Sequence, residues 1–171
     1  MFEGWDNFYL MIGGAAGGLI GLLFVVATLT GSVDREKAER GSALYLTPTV
    51  FHFAVVLANA AITEAPRLDV RIVAALLGVA GVWGFAQSFI IAHRLHHDRG
   101  PEPAHWSDFW CYGCAPGLIY LGQLAAVAAI ALGKPWAPDA LAAALLVLLL
   151  LSIRNAWDLV TTIAPMAARR D

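Results

Sequence analysis

Charge is what this 171-residue sequence has least of. Only 14% of its residues are Asp, Glu, Lys or Arg, while 59% are apolar and the mean hydropathy is +0.66; an ordinary soluble domain is about 25% charged. The shortage excludes a water-soluble globular domain of usual composition. The eleven Lys and Arg are scattered and the net charge is -2, so no basic face exists for nucleic acid. The opening residues, Met1 to Asp6, include Glu3 and Asp6 and no Lys or Arg. They lack the positive n-region of a secretory signal peptide, so the first apolar segment is expected to stay in the mature protein. No Gly-rich phosphate loop, nucleophile elbow or paired-carboxylate site occurs, which argues against nucleotide binding and soluble-type hydrolase chemistry. Catalysis is therefore not the first expectation.

What the sequence has is long apolar runs, at residues 8–30, 44–63, 71–92, 109–132 and 139–163. A mostly uncharged run of about 18 residues or more matches a helix crossing ~30 Å of hydrocarbon. The expected fold is an all-α bundle of five transmembrane helices forming one domain over 1–171, a multi-pass protein of the cell membrane whose main partner is the lipid bilayer. No inverted repeat is evident, and an odd helix number argues against a two-half transporter plan. Lys and Arg number three (Arg67, Arg71, Lys134) on the side of the N-terminus and seven (Arg35, Lys37, Arg40, Arg94, Arg99, Arg169, Arg170) on the other. The positive-inside rule then predicts an outside N-terminus and a cytoplasmic C-terminus.

The first run carries Gly13, Gly14, Gly17, Gly18 and Gly21, whose spacings of three and four make a smooth face for close helix packing, within the chain or between copies in a homo-oligomer. Trp5, Phe8 and Tyr9 at one end of the bundle, and Trp106, Phe109, Trp110 and Tyr112 at the other, fit interfacial aromatic belts. The second run contains Pro48 near its start, then His52, then Asn59 about two turns on. An ionisable group roughly 12 Å into the bilayer is costly unless paired or wet, so His52 is read as a transport residue or as a neutral imidazole bonded to a neighbouring helix. The fifth run ends with Arg154, Asn155 and Asp158; Arg154 and Asp158, four apart, share a face and can pair. Gln87 and Ser88 close the third run at the same depth.

The third connection has the spacing closest to chemistry. His93, His96 and His97 stand at i, i+3 and i+4, followed by His105, Cys111 and Cys114. Nitrogen and sulfur donors at this density suit zinc or another transition metal. Thiols on a cytoplasmic face stay reduced, which favours a metal clamp or free thiols over a disulfide. The box His93-x-x-His96-His97 resembles one histidine box of the membrane desaturases and hydroxylases. That resemblance implies several such boxes around two irons, whereas this chain has five histidines in all and no second box, so acids or another subunit would have to complete the ligand set.

Two functions are expected from these residues. One is a homo-oligomeric channel or transporter for small ions with a polar cytoplasm-facing vestibule, using His52, Asn59, Gln87, Arg154, Asn155 and Asp158. The other is a metal- or cofactor-holding membrane enzyme or sensor built on the His/Cys cluster. A scaffold subunit without chemistry of its own is the plain alternative.

Overall fold

The computed structural model describes residues 2, 4–29, 42–97 and 105–168, and among them it contains helices and no strands. The helices are α1 (Asp6–Leu29), a π-helical turn (Ser42–Leu46) running into α2 (Thr47–Glu64), α3 (Val70–His96), a single turn α4 (Trp106–Asp108) leading through a second π-helical segment (Phe109–Cys114) into α5 (Ala115–Ala131), and α6 (Ala137–Ala168). Five stretches are long and apolar enough to cross a membrane: Asp6–Thr28, Leu44–Glu64, Val70–His96, Trp106–Ala131 and Ala137–Thr161. Leu10, Val79, Phe89, Leu118 and Leu150, one or more from each of α1, α3, α5 and α6, are well exposed on the outside of the bundle. An apolar surface of that extent suits acyl chains and not water.

Contacts between helices close a ring in the order α2, α3, α5, α6 and back to α2, with α1 packed outside on α2 and on the edge of α6. Helices α2 and α5 therefore face each other diagonally across the bundle axis. The core along that axis holds Phe53, Val56, Leu77, Ile130, Leu141, Leu145 and Leu148 together with Tyr9 and Tyr120. Tyr9, at the expected aromatic belt, is fully buried instead, stacked edge-on with Phe2 and Phe8. Tyr112 is likewise 1% exposed, whereas Trp106 and Trp110 lie on the outside as a belt requires. Tyr112 can leave the belt for the interior because its hydroxyl has a partner there, the Asn155 carbonyl at 2.9 Å; among the described residues Tyr9 is held by its aromatic contacts alone.

Both π-helical turns precede a proline in the first turn of the following α-helix, Pro48 and Pro116. Proline has no N–H to give the carbonyl four residues back, so the chain locally adopts the wider i to i+5 pattern. The two turns bring Tyr45 and Tyr112 together, ring centroids 5.0 Å apart and nearly perpendicular. At the second turn the backbone comes against α3: a Cβ on Gly113 would lie 2.7 Å from Ala92 Cα. Helix α3 continues past the apolar run to His96, and His97 caps it through an N–H bond to the His93 carbonyl.

Of the five glycines of α1, Gly13 alone packs inside the protein, against Ala60 at 3.0 Å, and Gly14, Gly17, Gly18 and Gly21 have nothing within 4 Å of a would-be Cβ. The glycine face is thus mostly turned outward. A methyl group should separate the two kinds of glycine: Gly113→Ala should destabilise the protein by about 1–3 kcal/mol through overpacking, and Gly18→Ala should leave it unchanged. Thermal melting of each variant in the same detergent checks this, with a lowered midpoint expected for Gly113→Ala alone.

Candidate functional site

The polar side chains inside the bundle follow its axis. Buried hydroxyls satisfy themselves locally: Thr49, Ser88 and Ser152 each donate to the carbonyl four residues back, at 2.7, 2.9 and 2.8 Å. That back-bonding is the cheapest way to hold a hydroxyl in hydrocarbon. The larger groups have to reach across. His52 on α2, 2% exposed, meets Tyr120 on α5 with Nδ1 2.8 Å from the phenol oxygen. About two turns further along α2, Asn59 Oδ1 accepts from Gln123 Nε2 at 3.4 Å, and the same Gln123 group donates to the Leu77 carbonyl at 3.0 Å. Two diagonal bridges therefore tie α2 to α5 where their backbones do not pack.

Pro48 and Pro116 have a further consequence here. His52 and Tyr120 each stand four residues beyond their proline, one turn into a helix that has started in the same way, so the two side chains arrive at one level. Tyr120 is seated by Gly84 of α3, where any Cβ would collide with the phenol ring. The Tyr120 hydroxyl has Nδ1 as its one partner among the described residues. The tautomer that satisfies the phenol hydrogen is the one with Nδ1 as acceptor and the imidazole hydrogen on Nε2. His52 Nε2, Asn59 Nδ2, Gln123 Oε1 and the Tyr9 hydroxyl have no hydrogen-bond partner among the described residues. A buried polar group left bare costs about 1–3 kcal/mol, so four along one axis mark a place built to meet something polar.

Carboxylates stand at both ends of this file. On the N-terminal side Tyr9 lies in the electrostatic reach of Glu64 and Asp139. On the opposite side the Tyr112 hydroxyl donates to the Asn155 carbonyl at 2.9 Å and to Asp158 Oδ2 at 3.4 Å, and Tyr45 donates to Asp108 at 3.2 Å. Asn155 is fully buried and ties α6 to the second π-helical segment through the Cys111 carbonyl at 2.9 Å. Arg154 donates to Asn155 Oδ1 at 3.1 Å, so Arg154, Asn155 and Asp158 join one network with Tyr112.

A cavity of about 280 Å³ opens beside His52 between α2 and α3, lined by Thr47, Pro48, Phe51, His52, Trp83, Gln87, Ile91 and Arg94. Gln87, expected in the polar layer, is part of its wall.

The His/Cys cluster is laid out more loosely. His93, His96 and His97 are exposed, with His93 and His97 ring centroids 4.2 Å apart and those of His96 and His97 5.1 Å apart. His105 is spent on capping α4, its Nδ1 2.9 Å from Ser107 Oγ and accepting from the Ser107 N–H at 3.3 Å. Cys111 and Cys114 are half-buried free thiols. Among the described residues no three His, Cys, Asp or Glu side chains gather as a metal-binding group.

Tyr120, Gln123 and Trp83, and the inward roles of Tyr9 and Tyr112, are what sequence reasoning missed. The signal for Tyr120 was its spacing of four from Pro116, which repeats that of His52 from Pro48. Removing the phenol tests the bridge: Tyr120→Phe should cost about 1–3 kcal/mol because it strands buried Nδ1, and His52→Phe in the same background should add little. A double-mutant cycle by thermal melting in detergent measures the coupling. No protein-family model, curated protein or solved structure matches this chain.

Proposed function

We propose that this protein moves protons across a bilayer along the bundle axis, through the file that runs from Glu64 and Asp139 past Tyr9, Asn59–Gln123 and His52–Tyr120 to Tyr112, Asn155 and Asp158. The observation that carries the reading is His52, deeply buried and bonded through Nδ1, with Nε2 bare. An imidazole with one nitrogen accepting and the other donating passes a proton by exchanging the two roles. Leu77, Tyr120, Leu145 and Leu148 are fully buried in the bundle core, a close packing that favours the smallest cargo and admits water only as single molecules. Along α2, Asn59 is seven residues from His52, about 10 Å of rise. Bridging that interval takes intervening water, for which the bare Asn59 and Gln123 atoms supply the bonding sites.

The excess of Lys and Arg supports placing the Tyr112–Asp158 end in the cytoplasm. The outward-facing Gly14, Gly18 and Gly21 of α1 suit close approach by a second copy, although the axial path lies wholly within one protomer. The reading is tested in proteoliposomes holding a pH-sensitive dye, with an imposed potential. Proton uptake should exceed that of empty liposomes, fall at least about tenfold in His52→Gln, fall similarly in Asn59→Leu, and stay unchanged in the lipid-facing Val79→Ala. Uptake equal to empty liposomes, or indifferent to both axial substitutions, overturns the proposal.

A further inference from the structure

The cavity beside His52 has a chemistry of its own that proton movement does not require. Its polar wall consists of Thr47, His52, Gln87 and Arg94. Arg94 is the only charged member, and no carboxylate lines the space. The guanidinium, the Gln87 amide and the Thr47 hydroxyl offer donors, while His52 Nε2 is buried out of reach. The complement of three donors and one positive charge is an anionic group made of acceptors.

The remaining wall is Pro48, Phe51, Trp83 and Ile91. Trp83 is 60% exposed on the side of α3 that faces lipid, so the cavity communicates with the acyl region. Along α3, Trp83 lies eleven residues from Arg94, about 16 Å deeper in the bilayer. Arg94 stands near the end of a membrane-spanning helix, at the depth of lipid head groups. Charge at the surface and aromatic walls toward the midplane is the polarity of an amphiphile lying in that leaflet. Such a molecule enters sideways from the lipid without turning over.

We propose that this cavity binds a long-chain carboxylate, a fatty acid of the surrounding leaflet, with the carboxylate on Arg94 and Gln87 and the chain leaving past Phe51 and Trp83. The volume of about 280 Å³ is at the lower limit of ligand pockets, roughly 300 Å³. It takes one head group and the start of one chain, which favours a single-chain acid over a two-chain phospholipid. The site stands whether or not protons move along the axis, because it uses no polar atom of His52.

The test uses purified protein in nanodiscs, with mid-chain brominated stearate as the probe and tryptophan fluorescence as the signal. Subtracting the response of Trp83→Phe isolates Trp83. Quenching of Trp83 should saturate with stearate, and brominated stearyl alcohol should bind about tenfold more weakly. Arg94→Gln should raise the half-saturation concentration about tenfold, the loss expected from one charge-assisted hydrogen bond. Gln87→Leu should weaken binding in the same direction and decides the matter if Arg94→Gln does not fold. Brominated phosphatidylglycerol should quench without saturating. Linear quenching by stearate, or affinity equal to wild type in a folded Arg94→Gln or Gln87→Leu protein, overturns the proposal. Saturable quenching by the phospholipid at equal affinity overturns the fatty acid and assigns the site to a lipid head group.

Discussion

A polar side chain inside hydrocarbon has to find its partner within the protein, and here the partners lie across the bundle axis. Helices α2 and α5 are diagonal neighbours whose backbones stay apart. They are joined by His52 to Tyr120 and by Asn59 to Gln123. Interhelical hydrogen bonds in membranes are worth only about 0.6 kcal/mol on average, so these bridges contribute more to register than to stability. Sliding α2 by one residue along its axis would turn His52 off the Tyr120 phenol and strand both groups in the apolar interior. The unfavourable alternative, two orphaned polar groups in lipid, fixes the arrangement.

That register is prepared at the ends of the helices. Pro48 and Pro116 both force a π-helical turn before the α-helix proper, and the turns carry Tyr45 and Tyr112 into contact. Small residues then admit the aromatic groups: Gly84 makes room for the Tyr120 ring, and Gly113 lets the second π-helical segment press on Ala92. On a neighbouring face of the same helix, α3 borders the cavity lined by Gln87 and Arg94. One helix thus seats the phenol that bonds His52 and also forms a wall of the cavity beside it.

The helices were legible in the sequence because hydrocarbon thickness sets a length that apolar runs either meet or fail to meet. The ends differ by a few residues: α3 reaches His96 where the apolar run stops at Ala92, since the last turn of a membrane helix already meets water and tolerates Arg94 and the histidines. His52 and Asn59 stood out as costly, and their shared axial face followed from their spacing of two turns. Their partners were hidden, because Tyr120 and Gln123 lie in another helix and nothing in linear spacing says which helices oppose one another. Tyr9 and Tyr112 were misassigned to the aromatic belts for the same reason: whether a tyrosine near a helix end turns inward depends on a neighbour such as Asn155. The His/Cys cluster looked dense along the chain, yet the fold spends His105 on a helix cap and leaves His93, His96 and His97 on an exposed helix end.

The account depends on the protonation pattern of a single imidazole. Solid-state NMR of the protein in lipid bilayers with nitrogen-15 histidine resolves it, using the His52→Gln variant to identify the His52 resonances. The prediction is an imidazole protonated on Nε2, with unprotonated Nδ1 shifted by the Tyr120 hydroxyl and with magnetisation passing from water to the Nε2 hydrogen. An Nδ1-protonated ring, or an Nε2 hydrogen that receives no magnetisation from water, would contradict it.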